Sequence, residues 1–286
     1  MKDLIWQIEA GIDECIGDTP LNCYEVLLTG ASDHSSSRYE QIADDYSELE
    51  SRTLESVSPV SAALKPNINH TLLELNGSNG SDVEHAILSA AAISEATNSI
   101  MDLKTAVTNF NECKLHKTAI NTVFADGDGS SNVMLIGDVP GATEDRNGIP
   151  FSGQSGQLLD KMLASINLDR SSCYITNLVF WRPPGDRAPT PDEIAVCIPF
   201  VKRHIELVSP KILILLGGTV SKVLLGMKQG ITKIHGQWFE YSTSKMAAPV
   251  PAIPFYHPVN LLGSPAYKHE AWRDLLRIKA RLANKK

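Results

Sequence analysis

The alternation of short apolar runs with helical patterns after Cys113 constrains the fold of this chain more than any other feature. Four runs are apolar almost throughout, at residues 132–137, 173–177, 212–217 and 252–255. Patterns with helical spacing lie between and after them, at about residues 155–167, 191–207, 218–225 and 267–283. Strands that are apolar on both faces and separated by helices are typical of a parallel sheet covered on both sides. We therefore predict an α/β fold, a three-layer α/β/α sandwich with a central, mainly four-stranded parallel sheet.

Charge is distributed unevenly along the 286 residues. Residues 1–112 carry 5 basic and 19 acidic side chains, a net charge of −14, whereas residues 113–286 carry 21 and 14, a net charge of +7. The net charge of −7 for the whole chain is the sum of these opposite regions, so it does not argue against a nucleic-acid partner. Such asymmetry indicates interaction with a polyanion, and the alternative is a chance segregation of surface charges.

The chain before Cys113 is predicted to be a helical and disordered N-terminal extension. Residues 1–28 hold apolar side chains at helical spacing and predict a short helix. Residues 29–81 are polar and acidic, with little apolar surface to bury, and predict a disordered linker. Residues 82–112 carry an apolar stripe, which predicts a helix that docks on the following domain. Residues 113–286 form that domain.

Several classes of protein are excluded at this stage. No run approaches the ~18 apolar residues of a membrane-spanning helix, and the N-terminus lacks the basic and apolar regions of a signal peptide. The five cysteines are scattered and odd in number, which argues against a secreted disulfide framework. We expect a cytoplasmic protein that does not contact a membrane.

The predicted sheet places its chemistry at one edge, because ligands of parallel sheets bind beyond the carboxyl ends of the strands. The loop after the first strand, residues 137–156, holds three acids, five glycines and two prolines. Asn177 ends the second strand, and His257 follows the fourth. A dinucleotide-binding loop is a poor fit, because no G-x-G-x-x-G pattern follows the first strand. Carboxylate, amide, aromatic and imidazole groups are thus predicted to converge.

Five motifs in these loops carry a family resemblance. They are Gly137-Asp-x-Pro-Gly-x-x-Glu-Asp-x-x-Gly-x-Pro-Phe-x-Gly-x-x-Gly-x-Leu-Leu159, Tyr174-Ile-Thr-Asn177, Arg182-Pro-Pro-Gly-Asp-Arg187, Gly230-Ile-Thr-Lys-x-x-Gly-Gln-Trp238 and His257-Pro-x-x-Leu-Leu262. In this order and spacing, over about residues 113–283, the chain resembles the family-4 uracil-DNA glycosylases.

The resemblance implies a monofunctional uracil-DNA glycosylase for base excision repair, which flips uracil out of DNA, removes it by hydrolysis and leaves an abasic site. The alternative is a noncatalytic DNA-binding or replication-associated protein on the same fold. Two departures keep that alternative open: Asp138 stands where the family usually has Glu, and Gly263 stands where it usually has a basic residue.

The resemblance also implies site residues. His257 would stabilise the departing uracil anion, and Asp138 would orient the attacking water or stabilise the sugar cation. Four residues are implied to contact the substrate. Glu144 would exclude thymine, Phe151 would stack on uracil, and Asn177 would hydrogen-bond the amide edge of uracil. The fourth residue is Val139.

Contacts to DNA are implied for two leucines and three basic residues. Leu261 and Leu262 resemble the wedge that fills the vacated base position, and one of the two could instead belong to the core. Arg182, Arg187 and Lys233 could hold phosphates, and each could equally be a solvated surface charge.

Family-4 enzymes usually carry a four-iron cluster on four cysteines. Here Cys113 and Cys197 match two ligand positions, whereas Phe110 and Trp181 occupy the other two. We therefore expect no metal and no cofactor, with the two aromatic side chains filling the space; His116 is one conceivable further ligand.

The expected partner is uracil-containing DNA, single- or double-stranded, bound by a monomer. The acidic N-terminal region would shield the basic face or recruit a replication or repair partner.

Overall fold

The computed structural model describes residues 80–283, with side chains from residue 82. The predicted helix at residues 1–28 and all but the end of the predicted linker at residues 29–81 lie outside the described residues.

One mixed sheet of six strands forms the centre of the fold. The strands are β1 (Ala125–Gly127), β2 (Val133–Gly137), β3 (Tyr174–Asn177), β4 (Ile212–Leu216), β5 (Phe239–Tyr241) and β6 (Val250–Phe255). Their order is β1-β3-β2-β4-β6-β5; the central four are parallel, and β1 and β5 are antiparallel edges. The predicted parallel sheet is therefore confirmed. The two edge strands were missed because three residues are too few for a readable alternation.

Nine α-helices lie within residues 80–283. They are α1 (Gly80–Ala96), α2 (Ile100–Asn109), α3 (Ala142–Asn147), α4 (Gln154–Ser165), α5 (Pro191–Val208), α6 (Gly218–Leu225), α7 (Ile231–Ile234), α8 (Pro258–Gly263) and α9 (Lys268–Ala283). Helices α4, α5, α6 and α9 correspond to the four predicted ones. The short helices α3, α7 and α8 were not predicted, since each spans fewer than two turns.

The central strands are buried on both faces, which explains their continuous apolar sequences. Met134 and Ile136 of β2 contribute to the core under α1, α2 and α5, whereas Val133 and Leu135 contribute to the core under α4 and α9. This alternation produces the predicted three layers.

Residues 82–112 form two helices rather than the single helix expected from their apolar stripe. The first helix ends at Ala96, and the second begins after Ser99. The Ser99 side chain accepts a hydrogen bond of 3.0 Å from the Asp102 N–H and so caps α2. Arg203 of α5 donates two hydrogen bonds, of 3.1 and 2.6 Å, to the carbonyl of Thr97 in the break. Both helices therefore pack as part of the α/β domain.

Among the helices at residues 80–283, none has the length and apolar character needed to cross a membrane.

Candidate active site

Gly137 and Asn177 end adjacent parallel strands in register and form the floor of the candidate site. A Cβ atom on residue 137 would lie 2.6 Å from both the Phe151 ring and the Asn177 Oδ1, so glycine is needed for this approach. Asn177 is buried, and its side-chain amide forms no hydrogen bond within the described residues 82–283. The site thus presents an aromatic ring beside an amide whose donors and acceptor are free; the roles expected of Phe151 and Asn177 stay predictions.

Phe151 is held in place through its backbone. Its φ of 52° lies in the left-handed region, which is unfavourable for a bulky side chain. The Arg170 guanidinium donates to the Phe151 carbonyl and is itself bound by Asp126 at 2.7 Å and Asp160 at 2.8 Å. A side chain at Gly156 would overlap the same carbonyl. Sequence reasoning missed Arg170, which lies in a turn before β3 and belongs to none of the five motifs.

His257 has a defined protonation state. It caps the N-terminus of α8, where its Nδ1 accepts a hydrogen bond of 3.2 Å from the Val259 N–H. Burial lowers the pKa of His257 to about 4, against a smaller opposing effect of the Glu144 charge. The imidazole is therefore neutral at pH 7, and its proton resides on Nε2, which is left to act as a donor. Its ring centroid lies 5.5 Å from that of Phe151.

Asp138 lies between the ends of β2 and β4. Its Oδ1 accepts a hydrogen bond of 2.7 Å from the Val220 N–H in the first turn of α6, and Thr219 donates to the same carboxylate. Its Oδ2 lies against Gly217, where any side chain would overlap it. Burial raises the pKa of Asp138 to about 6, although the hydrogen bonds oppose this shift. The carboxylate is thus ionised at pH 7 and carries one oxygen fixed by α6.

Glu144 is buried and supports the loop after β2. Its Oε2 accepts from the Gly141 N–H at 3.1 Å, and its Oε1 accepts from the Gly153 N–H at 2.8 Å. These bonds connect the start of α3 to the start of α4. Val139 is half-buried and packs against the core beneath α5. The substrate contacts expected of Glu144 and Val139 stay predictions.

The two candidate wedge residues have different environments. Leu261 is only 1% exposed and packs in the core under α4 and α9, which favours the alternative that it is a core residue; its contact with DNA stays a prediction. Leu262 is 44% exposed on the same short helix. Consecutive positions on α8 therefore hold a buried leucine and an exposed leucine.

The three basic residues also differ. Arg187 donates to both Glu193 oxygens, at 2.8 and 2.6 Å, and thereby joins the capping box of α5. Arg182 pairs with Asp186 at 2.7 Å on the surface. Lys233, on α7, is exposed and forms no ion pair among residues 82–283. Of the three, Lys233 has the ammonium most readily available to a phosphate.

Comparison with known proteins identifies the family of the chain. The model of the uracil DNA glycosylase superfamily matches residues 124–276. A type-4 uracil-DNA glycosylase from Archaeoglobus fulgidus is 33% identical over 184 residues, which are 63% of this chain and 92% of that protein. The chain belongs to the type-4 uracil-DNA glycosylases.

Two further matches delimit this assignment. A type-4 uracil-DNA glycosylase from Thermotoga maritima is 36% identical over 151 residues, 52% of this chain and 76% of that protein. A DNA polymerase of Bacillus phage SP01 is 30% identical over 150 residues, 52% of this chain but only 16% of the polymerase. The likeness to the polymerase is therefore confined to a small part of it.

Phe110, Cys113, Trp181 and Cys197 stand at the four positions where the resemblance implies cluster cysteines, and we call them the cysteine region. Phe110 and Trp181 are 3% and 1% exposed and belong to the same core as both cysteines. The two thiols interact, and this interaction lowers the pKa of Cys113 and, together with burial, raises the pKa of Cys197. Both cysteines are free, buried thiols.

Neighbouring residues complete the packing of the cysteine region. The Trp181 indole N–H donates to the Thr122 hydroxyl at 3.0 Å, and His116 packs edge-on to Trp181 with a centroid distance of 5.7 Å. No group of three or more His, Cys, Asp or Glu side chains that could hold a metal occurs in the part of the chain that the structure describes. Two thiols and two buried aromatic rings do not fit a four-iron cluster, which needs four thiolates.

Proposed function

We propose that this protein is a monofunctional uracil-DNA glycosylase, which hydrolyses the bond between uracil and deoxyribose in DNA and leaves an abasic site. The observation that carries the proposal is the neutral His257, with Nδ1 occupied by a backbone N–H, beside Phe151 and the unbonded amide of Asn177. These three side chains supply a donor, a stacking face and a group that both donates and accepts.

Base recognition is the first part of the proposed mechanism. Uracil must leave the base stack, at a cost of about a few kcal/mol, and enter a pocket that repays this cost. Phe151 would stack on the flipped ring, and Asn177 would donate to uracil O4 and accept from N3–H. The proposed role of Glu144 is to hold the loop against C5, where thymine carries its extra methyl group.

Transition-state stabilisation is the second part. Negative charge develops on uracil as the glycosidic bond breaks, and the Nε2–H of His257 would donate to O2, where that charge collects. A donor fixed in advance costs no reorganisation during the reaction. The neutral imidazole suits this role, because it donates throughout the pH range above about 4.

The carboxylate of Asp138 supplies the third part. Its Oδ1 is fixed by the α6 N-terminus, and the carboxylate held there would orient the water or face the sugar cation. The shorter side chain, where relatives usually have Glu, is supported by its contact with Gly217. Leu262 would fill the vacated base position, and Lys233 would contact a phosphate.

The absence of a cluster is a further part of the proposal: the protein would fold and act as a monomer without iron, the cysteine region being closed by its own side chains. Iron content and visible absorbance of anaerobically purified protein test this part. Less than about 0.1 iron per chain is the expected result, and stoichiometric iron would overturn it.

A labelled oligonucleotide with a single deoxyuridine tests the activity, in single-stranded form and paired with a complement. Alkali should cleave the strand at the uracil position after incubation with the protein, and an identical strand with thymine should stay intact. A folded protein that binds the uracil strand without producing alkali-sensitive sites would overturn the proposal and indicate the noncatalytic alternative.

A further inference from the structure

Two tyrosines that contact each other lie at the two ends of the segment that carries His257 and Leu262. Helix α8 begins directly after His257, and Tyr256 and Tyr267 flank the segment on either side. Their rings stack at a centroid distance of 5.1 Å and an angle of 23°. This contact joins the two ends of the segment that contains α8.

Tyr256 is in turn fixed by two other groups. Its hydroxyl donates to Glu270 Oε2 on α9 at 2.8 Å. The ring of His235, the residue that ends α7, lies 4.6 Å from the Tyr256 ring. Tyr256 therefore contacts α9, the end of α7 and the 3-10 turn after α8.

His235 is anchored to a buried carboxylate. Its Nδ1 lies 2.7 Å from Asp274 Oδ2, and Asp274 is only 1% exposed. Arg277 donates to the other Asp274 oxygen at 2.8 Å. A buried carboxylate needs such partners, because unpaired it would be strongly destabilising. Asp274 also fills the space that a side chain at Gly236 would occupy. The Gly236 N–H donates a hydrogen bond of 3.0 Å to the Pro254 carbonyl of β6.

We propose that His235, Tyr256, Tyr267, Glu270 and Asp274, here called the bracket, are positioning residues for base excision. The bracket joins α7, β6, α8 and α9, and so fixes His257 relative to Phe151 and Leu262 relative to the DNA. None of its members acts on the base itself. The inference rests on the proposed glycosylase activity and assigns to it residues outside the reacting groups.

Positioning of this kind has a large effect on rate, because a displacement of about 1 Å at a reacting group costs on the order of a hundredfold. Tyr256→Phe removes the hydrogen bond to Glu270 and keeps the ring stack. We expect a single-turnover excision rate lower by about tenfold, with affinity for uracil-containing DNA within about twofold and an unchanged melting temperature. Tyr241→Phe is the matched control: that hydroxyl is buried on β5 and has no hydrogen-bond partner within the described residues.

Substitutions of His235 provide a second test, in which one variant should lose activity and another should recover it. His235→Ala removes the donor to Asp274, whereas the amide of His235→Asn can replace it. We expect His235→Ala to lose at least about tenfold in single-turnover rate and His235→Asn to recover most of that loss. The fluorescence of 2-aminopurine placed beside deoxyuridine reports base flipping, and its rise should be slowed in His235→Ala and restored in His235→Asn.

The outcomes separate the two proposals. A wild-type protein without excision overturns the glycosylase proposal and the inference with it. An active wild type whose rate is matched by Tyr256→Phe and His235→Ala overturns the inference alone. A loss in His235→Ala that merely follows a lower melting temperature, without rescue by His235→Asn, overturns the positioning role as well.

Discussion

The carboxyl edge of the sheet and the cysteine region are both buried and both rich in polar or reactive side chains, yet they are organised in opposite ways. At the sheet edge backbone N–H groups hold His257 at Nδ1 and Asp138 at Oδ1, and the Nε2–H of His257 stays available. In the cysteine region two free thiols are buried together, and aromatic rings occupy the rest. Available polar atoms in a rigid frame identify the reactive region, whereas burial and residue type alone do not.

Among these predictions, Trp181→Ala should cause the largest loss of stability while leaving the active site unchanged. The indole is fully buried, so its removal leaves a cavity and should lower the free energy of unfolding by about 3–5 kcal/mol. Chemical denaturation measures this change. Uracil excision by the fraction that stays folded should match wild type, and a parallel collapse of the excision rate would show that the regions are coupled.

His257→Ala should have the opposite effect: a large loss of activity with little loss of stability. Loss of the fixed donor should reduce the single-turnover excision rate by about 10²–10³-fold with little change in the melting temperature. His116→Ala removes a histidine from the border of the cysteine region and serves as the matched control. Retention of near-wild-type activity by His257→Ala would contradict the assignment of the site.

The pH dependence of excision sharpens the comparison further. Because the pKa of Asp138 is raised to about 6, its carboxylate becomes protonated below that pH, and the rate should fall by about tenfold per pH unit. His257, with a pKa of about 4, stays neutral across this range. Steady-state rates between pH 5 and 8 provide the measurement, and a flat profile would exclude Asp138 as the essential base.

The raised pKa of Asp138 also makes the stability of the folded protein depend on pH. The folded protein holds the Asp138 proton more tightly than the unfolded chain, so this contribution is greatest at low pH and is lost as the pH rises from 3.8 to about 6. Asp138→Asn should therefore melt at a higher temperature than wild type at pH 7.5 while excising uracil far more slowly. A lower melting temperature would contradict the assigned burial cost.

Arg170→Lys is expected to have the smallest effect. A lysine keeps the charge but cannot bond both aspartates and the Phe151 carbonyl in one plane. We expect kcat/KM to fall by about three- to tenfold, on the order of 1 kcal/mol. Lys161→Arg, on the outer part of α4, offers a control for charge-preserving substitution, and equal kinetics in both variants would remove Arg170 from the site.

The sequence predicted those parts of the molecule that depend on local pattern. The four central strands follow from continuous apolar runs, and the convergence of Asp138, Asn177 and His257 follows from the topology of parallel strands. The contacts of Arg170 could not be predicted, because its partners lie 10 to 44 residues away and share no motif with it.

Leu261 and Leu262 show a second limit of sequence analysis. Both leucines lie in one motif, and only the rotation of α8 against α4 decides which of them is buried. The break between α1 and α2 was missed for a similar reason: the apolar stripe continues across it, and the Ser99 cap becomes visible only with the backbone path.

Phe110 and Trp181 also bear on how this protein would be made in a cell. A cluster must be assembled by other proteins and inserted into a waiting site, and it is vulnerable to oxidants and to scarcity of iron. Under the proposal that no cluster is bound, the side chains that close this region arrive with the chain itself, and maturation would require translation and folding alone. A repair enzyme built in this way would remain active under the oxidative conditions that damage DNA.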